Sequence, residues 1–176
     1  PELSGVARSY NFYPMGRAKP EDGVVNLALG LGKTIVDGGI SWAYSPSFPK
    51  ITPPFGSVSD MLKLTQLDYW TINMGKLPAY NPIKETEYML KEHFTSAEKD
   101  GSLKYLASTV DSTSGQLRIG TGADGPRVLT FAPLLTMNDI PLNDLIKKLL
   151  KICEDTLNTP VEIEFAVTFS NTKIQS

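Results

Sequence analysis

The fold is decided near the end of the sequence, where residues 142–153 read LNDLIKKLLKIC and residues 161–169 read VEIEFAVTF. Apolar residues recur every three or four positions in the first segment, which predicts an amphipathic helix. We expect this helix to end near residues 156–158, before Pro160. In the second segment apolar side chains alternate with others, which predicts a strand with Glu162 and Glu164 on one face. One apolar stripe is expected on the helix, made of Leu142, Leu145, Ile146, Leu149, Leu150 and Cys153.

Shorter patterns upstream predict further strands. Residues 24–29, VVNLAL, are a β-branched apolar run next to glycines and predict a buried strand. Four prolines among residues 41–57 predict an irregular loop. The remaining expectations are a hairpin over residues 104–111 and 116–120, a strand over 127–131, a strand or turn over 34–36, and a helix over 83–90.

Composition limits the classes of partner and compartment. The 176 residues suit one domain, and a net charge of -2 favours neither nucleic acid nor an anionic membrane as a partner. Neither a signal peptide nor a run of about 20 apolar residues is present. A single cysteine and a single histidine argue against zinc and fit the reducing cytoplasm. The initial proline suggests a segment of a longer protein.

Two groups of residues are candidates for chemistry. Glu162 and Glu164 place two hard oxygen ligands on one strand face, which can hold Mg²⁺ beside a phosphate, although the spacing alone favours a solvated sheet face. Gly30, Gly32 and Lys33 follow a predicted strand. They do not form a P-loop, because Leu27 occupies the position of its first glycine. A tight turn that permits close backbone approach remains the expectation.

Three segments, in this order, resemble the pyruvate phosphate dikinase and phosphoenolpyruvate synthase family. Residues 4–9, SGVARS, resemble its Ser-Gly-Val strand, and residues 26–39 resemble its Gly-Leu-Gly-Glu-x-Val-Val-x-Gly segment. Residues 142–156 and 160–166 resemble its helix and Pro-x-Asp-Ile-Glu strand. The resemblance implies an α+β fold, part of an ATP-grasp-like domain, with a mainly antiparallel sheet and helices packed on one face. Residues 1–176 would be a single-domain fragment, its C-terminal part, with an unaligned insert at about residues 45–126.

The resemblance also implies a function. The parent protein would bind ATP and Mg²⁺, phosphorylate a histidine on a mobile domain of the same chain, and interconvert pyruvate and phosphoenolpyruvate. Glu164 would ligate the metal, while Glu162, Gly30, Gly32 and Lys33 would contact the nucleotide, and no catalytic residue is assigned to this chain.

Glu162 conservatively replaces the aspartate of the family motif, and two other positions depart from the family pattern. Lys33 stands where the family commonly has glutamate, and Gln175 is not followed by the arginine of the family's Gln-x-Arg-Pro motif. The fragment alone is not expected to turn over substrate. Two alternatives remain open: a degenerate, non-catalytic relative with an interaction or regulatory role, and another ATP-grasp ligase.

Overall fold

A computed structural model describes residues 1–53, 55–76, 79, 81, 83, 88–138 and 140–169. The strands are β1 (Leu3–Arg8), β2 (Val24–Leu29), β3 (Trp42–Tyr44), β4 (Asp68–Ile72), β5 (Met89–His93), β6 (Ala107–Val110), β7 (Leu117–Ile119), β8 (Arg127–Leu129) and β9 (Glu162–Val167). The helices are α1 (Lys33–Val36), α2 (Val58–Leu64), α3 (Phe94–Lys99), α4 (Ala132–Leu135) and α5 (Leu142–Leu157). Every strand pairing in the described part is antiparallel, which confirms the predicted α+β class with mainly antiparallel sheets.

The largest sheet joins the two ends of the chain. Its strand order is β3-β2-β1-β9, so that Leu3 of β1 lies between Leu29 of β2 and Val167 of β9. The first five residues of β1 are buried, as expected of a central strand covered on both faces. The other two sheets are a β4-β5 hairpin and a β7-β6-β8 sheet, so the strands form three sheets rather than one.

The four-stranded sheet has two different faces. Its core face carries Leu3, Val25 and Leu27, which share a hydrophobic cluster with Ile146 and Leu150 of α5. The opposite face, called here the glutamate face, is made of Ser4, Val6, Arg8, Val24, Asn26, Ala28, Ala43, Glu162, Glu164 and Ala166. Helix α5 covers the core face, in agreement with the expected helix packing on one face, whereas Gly32, which precedes α1, lies beside Ser4 on the glutamate face.

Helix α5 confirms the predicted helix and its end, but the predicted apolar stripe is wider than its buried part. Leu142, Ile146 and Leu150 are 6% exposed or less, whereas Leu145 and Leu149 are 53% and 40% exposed. The spacing of four residues follows one line of the helix, and the three residues on this line belong to the core cluster that includes the large sheet. The helix ends at Asn158, whose left-handed φ of 52° closes the last turn.

The unaligned insert at about residues 45–126 contributes to the main core. Ala97, Leu103, Leu106 and Ala107 belong to the same cluster as the strands of the large sheet. The predicted hairpin is present as β6 and β7, and β8 adds the further strand expected over residues 127–131. The insert is therefore packed into the rest of the molecule.

Three local expectations are wrong in whole or in part. Within the irregular loop expected over residues 41–57, Trp42–Tyr44 form strand β3, because they pair with β2. Residues 34–36 lie in the helical turn α1, where the N–H of Val36 donates to the carbonyl of Gly32 at 3.1 Å. Met89 and Leu90 begin strand β5 rather than a helix, because they pair with Ile72 and Thr71 of β4. The rest of that predicted helix, apart from Ile83 and Tyr88, lies outside the described residues.

Among the helices of the described residues, none has the length and the apolar character needed to span a membrane.

Candidate functional site

The two glutamates of β9 occupy different environments on the glutamate face. Glu162 stands opposite Arg8, and its Oε2 accepts from Arg8 Nε in an ion pair. Glu164 stands opposite the buried Val6, and it has no hydrogen bond or ion pair with another described residue. One carboxylate is thus neutralised by the protein, and the other is exposed and available.

A single available carboxylate limits the kind of metal site. No cluster of three or more histidine, cysteine, aspartate or glutamate side chains suited to a metal occurs among the described residues. Mg²⁺ in nucleotide sites is commonly held by one or two carboxylates together with substrate phosphates and water. Among the described residues, Glu164 thus offers one unpaired carboxylate, which is fewer ligands than a metal site made of protein alone needs.

The segment Gly30–Lys33, called here the glycine turn, lies over the same face. The hydroxyl of Ser4 donates to the carbonyl of Gly30 at 2.6 Å, and an added Cβ on Gly32 would lie 3.7 Å from Ser4 Cβ. Ser4 pairs with Ala166, two residues from Glu164 in β9. Diagonal neighbours on one face of an antiparallel pair are about 7–8 Å apart. The glycine turn and Glu164 are therefore on the same face of the sheet, with Ser4 between them, although more than 100 residues separate them in sequence.

The close approach at Gly30 involves the protein's own backbone. Gly30 has a φ of +79°, and a Cβ there would lie 2.5 Å from the carbonyl oxygen of Trp70 and 2.7 Å from the ring of Tyr69. A residue with a side chain would be strained and would clash. Burial, together with the carboxylates of Asp100 and Glu92, raises the pKa of Tyr69. The need for glycine at this position is explained without a ligand.

Lys33 is engaged within its own helical turn. Its Nζ lies 2.8 Å from Asp37 Oδ2 and 5.7 Å from the centroid of the Trp70 ring. These contacts direct the ammonium group toward α1 and β4, and no ion pair joins Lys33 to Glu162 or Glu164. Helix α1 has only four residues, in agreement with the rejection of a P-loop.

The structure adds residues that sequence reasoning missed. Arg8 neutralises Glu162, Asp37 holds Lys33, and Gln66 and Trp70 bind the backbone around the glycine turn. The spacing of four residues between Lys33 and Asp37 was a readable signal on a helical turn. For the other three residues, no local pattern could have indicated the contact.

No family model, no curated protein and no solved structure matches this chain. The resemblance to the dikinase and synthase family therefore stands as a hypothesis that rests on the quoted segments.

Proposed function

We propose that this chain is part of the ATP-binding domain of a phosphotransferase that resembles pyruvate phosphate dikinase and phosphoenolpyruvate synthase. One observation carries the proposal. Two segments of the resemblance, SGVARS and VEIEFA, pair as strands β1 and β9, and the glycine-rich segment bends over the face that presents Glu164. Because these segments are far apart in sequence, their position on one face of a sheet is an observation separate from the resemblance, and it supports the proposal.

The proposed chemistry divides among the residues already described. Glu164 offers one carboxylate ligand to the metal of Mg-ATP, and the glycine turn offers backbone beside it. When bound, Mg²⁺ neutralises charge on the phosphates and holds them in line for transfer. In the proposed parent protein the phosphoryl group moves to a histidine of a mobile domain and then to pyruvate, in the cytoplasm. Lys33 contacts a phosphate in this scheme only after it leaves Asp37.

A non-catalytic relative is the second candidate. Two of the charged candidates are already neutralised within the chain, Glu162 by Arg8 and Lys33 by Asp37. A fold that keeps these internal pairs without binding nucleotide would serve interaction or regulation.

The two functions are separated by calorimetric titration with Mg-ATP. The titration is done on residues 1–176 and on the product of the complete reading frame that contains them. In whichever protein binds, Glu164→Gln is expected to weaken Mg-ATP binding at least about tenfold, or about 1.4 kcal/mol. The matched control is Glu21→Gln, which removes an exposed carboxylate outside the glutamate face and should leave affinity within about twofold. With EDTA present, Glu164→Gln and wild type should bind ATP equally.

Two results contradict the proposal in different ways. Folded wild-type protein that binds no Mg-ATP in either form refutes nucleotide binding and favours the non-catalytic relative. Binding that depends on Glu164, followed by phosphorylation of a carboxylate substrate instead of a histidine, favours another ATP-grasp ligase. Mass spectrometry of the full-length protein after incubation with ATP distinguishes a phosphohistidine from its absence.

A further inference from the structure

Gln66 forms a buried connection between the insert and the end of β2. Gln66 is buried, with only 5% of its surface exposed. The N–H of Leu29 donates to Gln66 Oε1 at 2.8 Å, and Gln66 Nε2 donates to the carbonyls of Leu29 at 3.1 Å and Asp68 at 2.9 Å. Strand β3 pairs with β2 only from Val25 to Leu27. The Gln66 amide thus takes the place of a strand neighbour at Leu29.

The contacts continue directly into the glycine turn. The N–H of Leu31 donates to the carbonyl of Trp70 at 2.9 Å, four residues after Gln66. Gly30 lies between these two connections, and its space is limited by Trp70 and Tyr69. Residues 66–70 therefore fix the backbone on both sides of Gly30, and all of them belong to the insert that the resemblance does not cover.

We propose that Gln66 is a positioning residue for the glycine turn. Its amide satisfies both backbone groups of Leu29, and so determines the direction in which the chain leaves β2. Without the amide, a buried N–H and a buried C=O lose their partners, and the strand end opens or moves toward water. Glycine at the next position gives the freed segment many accessible conformations. The effect on nucleotide affinity rests on the proposed function, whereas the effect on the turn itself does not.

The rival explanation is that Gln66 only stabilises the fold. Gln66→Leu removes the hydrogen bonds at nearly constant volume, and it is compared with a control that also removes a buried polar contact. Ser108→Ala is suitable, because the Ser108 hydroxyl contacts the Thr130 hydroxyl at 2.6 Å in the β7-β6-β8 sheet. Thermal unfolding measures how much stability each variant loses, so that their hydrogen exchange and affinity can be compared at similar losses of Tm.

Amide hydrogen exchange tests the turn, and Mg-ATP titration of the binding-competent protein tests the consequence. We expect Gln66→Leu to speed exchange at Leu29 and Leu31 at least about tenfold relative to Val6 in β1, and to weaken Mg-ATP binding by about tenfold. Ser108→Ala should leave the exchange ratio and the affinity within about twofold of wild type.

The outcomes separate the two levels of the argument. Equal exchange ratios in Gln66→Leu and Ser108→Ala overturn the positioning role, whatever happens to nucleotide. Faster exchange with unchanged Mg-ATP affinity overturns the claim that this positioning matters for nucleotide binding. If wild type binds no nucleotide, the proposed function fails, and the exchange ratio alone decides whether Gln66 positions the turn.

Discussion

Replacing Gly5 by alanine tests how the central sheet is packed at its most crowded point. Glycine in the interior of a strand usually weakens it, so its presence in β1 needs a reason. Gly5 stands opposite Phe165, and an added Cβ would lie 2.8 Å from both Cε atoms of that ring and closer still to Cζ. The ring of Phe165 thus covers the glycine, and alanine would force it away from the core against which it packs.

The expected cost follows from two opposing effects. Forcing an extra carbon into a packed contact costs about 1–3 kcal/mol. Removing glycine from the unfolded chain returns about 0.4–1 kcal/mol. We therefore expect Gly5→Ala to lower the free energy of unfolding by about 1–2 kcal/mol, which is a fall in Tm of about 2–8 °C for a chain of this size.

Urea and thermal unfolding of a double-mutant cycle with Phe165→Leu provides the measurement. The double variant should be more stable than the sum of the single effects predicts by at least about 1 kcal/mol, because leucine vacates the space that alanine needs. Gly122→Ala is the control, since a Cβ there meets nothing within 4 Å and the change should stay within about 0.5 kcal/mol. Gly5→Ala that matches this control, or strict additivity with Phe165→Leu, would refute the packing argument.

Two further predictions concern a loop carboxylate and helix α5. Backbone N–H groups of Ser114 and Thr113 donate to the Asp111 carboxylate and lower its pKa, so Asp111→Asn should reduce Tm at neutral pH. The difference in Tm between wild type and variant should vanish as the pH falls below about 3.9 and through the lower pKa of the folded state. A difference in Tm that persists at about pH 2 would contradict this. Leu150→Ala should cost about 2–5 kcal/mol and the more exposed Leu149→Ala less than about 1 kcal/mol, as measured by urea unfolding. Equal costs would show that the helix face is assigned wrongly.

The elements that could be predicted are those whose pattern is local and long. The sequence of α5 repeats its apolar residues over four turns, and β9 alternates over its whole length, so both were recognisable. Short apolar runs carry less information: residues 34–36 have strand-forming side chains but lie in a helical turn closed by backbone hydrogen bonds to Gly32 and Lys33. Which apolar residues of α5 are buried was also not predictable, because this depends on the face of the helix that packs against the sheet.

The candidate site shows the same division between local and distant information. Alternation correctly placed Glu162 and Glu164 on one face of β9. The difference between them depends on Arg8 and Val6, more than 150 residues away in sequence, and only the register of β1 with β9 reveals it. The tight turn at Gly30 was also expected, but the group that approaches it is the insert's own backbone.

The charged candidate residues differ in the internal contacts that each would have to lose before it could bind a ligand. The Lys33–Asp37 pair resembles exposed helix pairs worth about 0.3–0.5 kcal/mol, and the contact of Lys33 with Trp70 adds about 0.5–1 kcal/mol. Their sum of about 0.8–1.5 kcal/mol corresponds to about a 4- to 13-fold change in affinity. Glu162 must likewise leave Arg8, with both side chains more than 40% exposed. Glu164 has no described partner to leave, so its substitution is the most direct test of the proposed metal binding. Variants of Lys33 or Glu162 should combine any loss of ligand contacts with the release of Asp37 or Arg8.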